Sequence, residues 1–125
     1  MKYLLDTHIM IWWLIEPKKI APKARHIMED KKQEVFISSV SFWEIAIKQS
    51  LGRLTIPADP IEILTKEGFQ LLALTAHEAL SVVDLPMIHG DPFDRMLVMQ
   101  SKLNDLVLIT SDKKIMEYPV PILKA

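Results

Sequence analysis

The stretch Leu106-Val107-Leu108-Ile109-Thr110, followed directly by Ser111 and Asp112, decides the fold. Its aliphatic and β-branched residues form a short apolar run, which is typical of a buried strand. A second short run, Lys2 to Leu5, precedes Asp6 near the start of the chain. Strands of this kind that pair in parallel need crossover connections, so we expect helices between them.

Outward from these two runs, segments typical of strands and of helices alternate. The predicted strands are 2–5, 34–38, 69–74, 106–110 and 120–123, and the predicted helices are 7–15, 22–32, 39 to 49 or 51, 60–67, 75–83 and 92–104, with a short turn or helix at 113–117. Ser39 and Ser41 are the expected caps of the third helix, and Thr75 with Glu78 forms a capping box. The order predicts one α/β domain, 1–125, with a mostly parallel sheet and helices on both faces.

The composition excludes several classes of protein. The chain has 125 residues, half of them apolar and a quarter charged, which fits one domain of ordinary size. Cysteine is absent, so a disulfide scaffold, a thiolate zinc site and a cysteine nucleophile are excluded. This absence is compatible with a reducing cytoplasm, where we expect the protein. The longest apolar run, 9–15, is far shorter than the roughly 20 residues that span a bilayer, so no membrane association is expected.

Several acidic residues are predicted to meet at one edge of the sheet. Asp6 and Asp112 each follow a strand, and Glu44 lies in the first turns of the helix after strand 34–38. Ligands of open parallel sheets collect beyond the carboxyl ends of the strands. Asp91 and Asp94 lie three residues apart at a helix start and share a face. They join the group if this helix start faces the same edge.

Crowded carboxylates repel one another, so they either take up protons or bind a cation. A set of oxygen ligands without cysteine suits Mg²⁺ or Mn²⁺. Such an ion orients a water molecule, lowers its pKa and neutralises charge on a phosphodiester in the transition state. The placement of the acids therefore favours a metal-dependent phosphoryl-transfer site.

Each of these acids also has an alternative role in local structure. Asp6 and Asp91 stand where helix N-caps are expected, and Asp112 fits a turn. Glu44 completes a capping box after Ser41 and has the spacing of a surface ion pair with the lysine four residues later. Only the joint placement of the acids at strand ends favours the metal site.

Four segments of the chain resemble PIN-domain ribonucleases, and they occur in the order seen in that family. They are LLDTH at 4–8, SFWEI at 41–45, HGDPFDRMLVMQS at 89–101 and LITSD at 108–112. The similarity runs over nearly the whole chain. It is greatest to small bacterial and archaeal members that include VapC-type toxins of toxin–antitoxin pairs.

This resemblance implies a PIN-like three-layer α/β/α sandwich with a central, mostly parallel sheet. It implies that Asp6, Glu44, Asp94 and Asp112 hold Mg²⁺ or Mn²⁺, with Asp91 either behind these ligands or acting as a cap. The implied reaction is hydrolysis of RNA phosphodiester bonds by an activated water molecule, without a covalent intermediate. A homodimer and a cognate antitoxin are the partners that the resemblance implies.

A ribonuclease needs Lys and Arg side chains to bind the phosphates of RNA, yet the net charge of this chain is −1. Of 15 basic and 16 acidic residues, removing the four matched acids leaves 15 against 12, a balance of +3. The candidate substrate contacts are the basic residues Lys48, Arg53, Arg95, Lys113 and Lys114 and the hydroxyls of Thr7 and Ser111. The hydroxyls of Thr7, Thr110 and Ser111 lie beside matched acids and are also candidates for holding a metal-bound water or the local backbone geometry. For the basic residues, the alternative is an ordinary solvated face.

Two further expectations concern the first helix and the histidines. Residues 9–15 of this helix are apolar on every side and are predicted to be buried all round, with Trp12 and Trp13 in the core or at a subunit interface. The histidines show no paired metal-ligand spacing, so we expect ordinary polar contacts for His8 and His89.

Two other functions fit the acidic pocket less well. A receiver-like signalling domain needs adjacent acids after its first strand, but Asp6 is followed by Thr7, and segment 69–74 ends without an acid. An inactive PIN-like interaction module is disfavoured because all four matched acids are present.

Overall fold

The computed structural model describes residues 1–125 and contains a five-stranded sheet in which every pairing is parallel. The strands are β1 (Lys2–Leu5), β2 (Glu34–Ser38), β3 (Gln70–Leu72), β4 (Val107–Thr110) and β5 (Ile122–Lys124). They lie in the order β3-β2-β1-β4-β5, so β1 is central. Leu4 of β1 lies opposite Phe36 on one side and Leu108 on the other.

Helices connect the strands. They are α1 (Thr7–Ile15), α2 (Pro22–Glu29), α3 (Ser39–Ser50), α4 (Pro60–Lys66), α5 (Ala76–Ser81) and α6 (Pro92–Leu103), with 3₁₀ turns at Pro17–Lys19, Val82–Asp84 and Ile115–Glu117. No helix combines the length and the apolar character needed to cross a membrane.

The core has two halves, one on each face of the sheet. Successive strand residues point to opposite faces, so Leu5 and Ile109 pack into one half, while Leu4 and Leu108 pack into the other. The first half is closed by buried residues of α1, α2 and α4, and the second mainly by α6. The predicted three-layer α/β/α sandwich is therefore confirmed.

Most element boundaries match the prediction within a few residues, and the differences have local causes. Helix α2 ends at Glu29 because the Asp30 carboxylate accepts the N–H of Lys32 and forms a turn. The capping box of Thr75 and Glu78 is confirmed. The cap of α3 was predicted wrongly: it is Ser38, whose hydroxyl accepts the N–H of Val40, rather than Ser39 or Ser41.

Helix α1 is buried from Ile9 to Ile11 but not in its last turn, where the prediction of burial all round was wrong. His8, in the first turn, is exposed as well. Ile9 and Met10 are fully buried, whereas Ile15 is 48% exposed. Trp12 and Trp13 are half-buried and pack against the core. The indole N–H of Trp13 donates to the Glu67 carboxylate at 2.7 Å, which satisfies the polar edge of the ring near the surface.

Candidate functional site

The carboxyl ends of β1 and β4 lie side by side and carry two of the predicted acids. Asp6 follows β1, and its backbone N–H donates to the carbonyl of Ile109 at 2.9 Å. The Thr110 hydroxyl donates to Oδ2 of Asp6 at 2.8 Å and accepts the N–H of Asp112 at 3.0 Å. One buried hydroxyl therefore fixes both acids relative to each other. Asp6 stands at the N-cap position of α1, but its side chain makes no capping bond.

Helix α3 carries Glu44 at a buried position, 4% exposed. Its Oε2 lies 2.8 Å from the Lys48 ammonium, whereas its Oε1 is buried without a hydrogen-bond partner. One turn earlier, the Ser41 hydroxyl lies 2.9 Å from the hydroxyl of Thr7. This contact joins α3 to the start of α1, directly after Asp6.

Helix α6 begins at the same edge of the sheet and brings Asp94 among the other acids. Oδ1 of Asp91 accepts the Asp94 N–H at 3.0 Å, so Asp91 is the N-cap of α6. Burial, followed by repulsion from Asp6, Asp91, Glu44 and Asp112, raises the pKa of Asp94 to about 8. A carboxyl group in such surroundings keeps its proton at neutral pH unless a cation joins it.

His89 belongs to this cluster, although the sequence analysis assigned it only ordinary polar contacts. Its Nε2 lies 3.1 Å from Oδ2 of Asp94 and 3.1 Å from Oδ2 of Asp112. Potential ligand atoms of these three residues all lie within 4.8 Å of one another. Spacing between histidines gives no sign of this contact, because the partners of His89 are carboxylates that come from α6 and from the end of β4. The available signals were the position of His89 two residues before Asp91 and its place at the start of the segment 89–101, which resembles the PIN family.

The acids of the site differ in how firmly they hold a proton. Burial raises the pKa of Asp6, against the opposing hydrogen bond from Thr110. Burial also acts to raise the pKa of Asp112, but hydrogen bonds from His89 and from the backbone N–H of Ile115 outweigh it and lower the pKa. The site therefore combines Asp112, whose pKa is lowered, with Asp6 and Asp94, whose pKa values are raised.

The residues present fit a divalent cation. Oδ1 of Asp6 and Oε1 of Glu44 are buried oxygens without hydrogen-bond partners, and buried oxygens in proteins are normally paired. Carboxylate oxygens are the preferred ligands of Mg²⁺ and Mn²⁺. A cation would satisfy both oxygens and offset the repulsion that raises the pKa of Asp94.

Two predicted substrate contacts lie in positions that contradict this role. Arg95 is only 8% exposed, and its guanidinium donates to the carbonyls of Pro86 at 2.9 Å and Val82 at 3.2 Å and to the Tyr118 hydroxyl at 3.2 Å. Thr7 is 1% exposed, and its hydroxyl bonds to α3. Both side chains use their polar atoms inside the protein and are not available to a phosphate.

The other candidate contacts lie nearer the surface. Lys113, Lys114 and Arg53 are exposed, Ser111 is half-buried beside Asp112, and Lys48 is partly exposed at the side of Glu44. Thr110 is buried and holds the acids in place.

Comparison with known proteins agrees with this fold. The family model described as PIN domain matches residues 3–120, so the chain belongs to the PIN domain family. Ribonuclease VapC22 of Mycobacterium tuberculosis is 27% identical over 121 residues, which cover 94% of this chain and 92% of that protein.

Solved structures share the same fold. VapBC2 from Rickettsia felis, bound to a DNA fragment from its promoter, matches with a TM-score of 0.69 and 14% identity. DNA-bound VapBC from Salmonella typhimurium matches with a TM-score of 0.69 and 16% identity. Each match covers 99% of this chain and 98% of the chain compared.

Proposed function

We propose that this chain is a metal-dependent endoribonuclease and the toxin of a toxin–antitoxin pair. The observation that carries the proposal is the position of Asp94, whose pKa is raised to about 8 by burial and by four surrounding carboxylates. Oδ1 of Asp6 and Oε1 of Glu44 are buried without partners in the same group of acids, which favours a cation as their missing partner. The ribonuclease name of the relative from M. tuberculosis and the VapBC complexes among the solved structures support the same function.

Asp6, Glu44, Asp94 and Asp112 are the proposed ligands. A bound Mg²⁺ or Mn²⁺ supplies a water molecule of lowered pKa and neutralises charge on the phosphodiester. Asp94 would have to give up its proton to hold the cation, whose positive charge would oppose both the burial and the carboxylate repulsion that raise its pKa. The Thr110 hydroxyl holds the Asp6 carboxylate, and the backbone N–H of Ile115 holds that of Asp112. Both carboxylates are therefore in place before substrate arrives, which lowers the cost of ordering them.

The RNA backbone is proposed to bind at the exposed rim of this site. Lys113 and Ser111 follow β4 next to Asp112, and Lys48 stands beside Glu44. Basic side chains at these positions offset phosphate charge, and binding should weaken as salt is raised.

Partner proteins are part of the same proposal. Large apolar side chains stand exposed on α3, on α5 and in the segment between α5 and α6, among them Trp43, Leu80, Val83 and Met87. Exposed apolar groups that cluster are typical of protein interaction surfaces. They support the homodimer and the cognate antitoxin that the family resemblance implies. The proposed compartment is the cytoplasm, where RNA substrates are present.

The test is cleavage of total RNA by purified wild-type protein and by Asp94→Asn, with and without Mg²⁺. We expect the substitution to reduce cleavage by about 10²-fold or more, since it removes a charged ligand while keeping the side-chain shape. Asp105→Asn is the matched control, because Asp105 is exposed and its left-handed backbone (φ 53°) suits asparagine equally. Full Mg²⁺-stimulated cleavage by Asp94→Asn would refute the assignment.

A further inference from the structure

We propose that His89 is a positioning residue, which holds Asp94 and Asp112 in place for the cation by donating from its Nε2–H. This inference rests on the proposed function, because it assigns a role within the same site. His89 lies in the segment between the Val82–Asp84 turn and α6, so its ring reaches the acids from a loop and not from the sheet.

The tautomer of His89 follows from its other nitrogen. The backbone N–H of Asp91 donates to Nδ1 at 3.1 Å, so Nδ1 carries a lone pair and the ring proton lies on Nε2. A histidine that binds a metal through one nitrogen normally donates a proton from the other. Nδ1 of His89 accepts a hydrogen bond instead, which makes Nε2 a donor to carboxylates and excludes it as a ligand in this geometry.

The Nε2–H lies where two carboxylates approach each other. It donates to Oδ2 of Asp112 at 3.1 Å and stands at the same distance from Oδ2 of Asp94. The other oxygen of Asp112 accepts the backbone N–H groups of Lys114 and Ile115, at 2.8 and 3.1 Å. Both oxygens of Asp112 are thus fixed, and the ring stands between the two acids before a cation arrives.

The loop that carries His89 is itself held in place by the side chains of Tyr118 and Arg95. The backbone N–H of His89 donates to the Tyr118 hydroxyl at 2.8 Å, and this hydroxyl also accepts from Arg95 at 3.2 Å. Arg95 further binds carbonyls of the loop, including that of Pro86 at 2.9 Å. A buried guanidinium is costly unless its donors are used, and here they hold the loop in position.

This arrangement gives the DPFDR string a physical explanation. Asp91 caps α6 and fixes the His89 tautomer through its N–H, Asp94 enters the acidic cluster, and Arg95 points away from the cluster to anchor the loop. Arg95, which the sequence analysis assigned to substrate, therefore acts on the site through Tyr118 and His89.

The test measures Mn²⁺ affinity by calorimetry in the absence of RNA. His89→Leu removes the donor, and we expect it to weaken Mn²⁺ binding by about 10–100-fold, the effect usual for residues that orient metal ligands. His89→Gln places an amide N–H near the position of Nε2–H, so it should retain affinity within about threefold of wild type. His77→Leu, at an exposed histidine of α5, is the matched control and should bind as wild type. Thermal unfolding of each metal-free variant shows whether the variant is still folded. Weaker Mn²⁺ binding by a folded variant then reflects displaced ligands and not an unfolded protein.

The outcomes are distinguishable. Wild-type Mn²⁺ affinity in His89→Leu would overturn the inference, and equal losses in His89→Gln and His89→Leu would overturn the donor role in favour of direct ligation. If Asp94→Asn loses Mn²⁺ binding while His89→Leu keeps it, only the role of His89 fails. If Asp94→Asn also binds as wild type, the proposed function fails with it.

A second measurement does not depend on any variant. The imidazole ¹⁵N shifts of His89 in the metal-free wild-type protein report which nitrogen carries the proton. We expect an unprotonated Nδ1 and a protonated Nε2. A proton on Nδ1 alone would contradict the inference.

Discussion

At the scale of single residues, the site is built from side chains whose roles divide between holding a cation and holding one another. Asp6 and Asp112 are joined by one hydroxyl, that of Thr110. The sequence was sufficient to predict that both acids follow strands. It was not sufficient to find His89, because the bonds of its ring depend on how the loop before α6 folds back over the end of β4.

Asp94 should make the free energy of unfolding of the metal-free protein depend on pH. Its pKa is about 8 in the fold and 3.8 in its ordinary state. Between these values the folded state binds more protons than the unfolded state, so the free energy of unfolding should decrease as pH rises from about 5 to 8. Asp112 has a lowered pKa, and its stabilising contribution is lost only at more acidic pH.

Urea denaturation in the presence of a chelator, at pH 5 and at pH 8, measures this effect. We expect wild type to lose stability between the two values and Asp94→Asn to lose markedly less. Asp105→Asn should behave as wild type. An equal loss of stability in Asp94→Asn and wild type would show that another group is responsible.

At the scale of elements, local signals in the sequence identified most helix starts, but tertiary partners decided the details. The capping box of Thr75 and Glu78 is visible as a four-residue pattern and is present in the structure. Two further bonds to Glu78, from Gln100 at 3.1 Å and Asn104 at 2.8 Å, come from α6 and its end. Spacing alone cannot reveal such partners, as it could not reveal that Ser41 bonds to Thr7 and leaves the cap of α3 to Ser38.

Glu78 therefore links α5 to α6 as well as capping α5. Burial acts to raise its pKa, but the hydrogen bonds from Thr75, Asn104 and Gln100 outweigh it and lower the pKa. Glu78→Gln turns one acceptor into a donor that faces the amide of Asn104, so we expect a loss of about 1–3 kcal/mol in the free energy of unfolding at pH 7.

Urea denaturation measures this loss, and Glu62→Gln, at an exposed acid of α4, is the control and should change stability little. Because the pKa of Glu78 is lowered in the folded state, its stabilising contribution is present above the ordinary value of 4.5 and should be lost as pH falls below it. Mn²⁺ affinity should stay at the wild-type value, since Glu78 lies outside the acidic cluster. Unchanged stability in Glu78→Gln would contradict a linking role.

At the scale of the whole molecule, the all-parallel sheet brings distant parts of the chain to one edge. Asp6 and Asp112 are more than a hundred residues apart, yet β1 and β4 are neighbours. The alternation of strands and helices was sufficient to predict a layered α/β fold, because parallel strands require crossovers. The strand order itself and the exposed last turn of α1 depend on packing between distant segments, which the sequence pattern does not encode.

The most direct test of the account is a crystal grown with Mn²⁺ and measured at a wavelength where manganese scatters anomalously. The account predicts an anomalous peak about 2.0–2.3 Å from carboxylate oxygens of Asp94 and of at least one of Asp6, Glu44 and Asp112, with the His89 ring still bonded to Asp112. A saturated crystal with no peak among these four carboxylates, or with manganese bound only elsewhere, would contradict it.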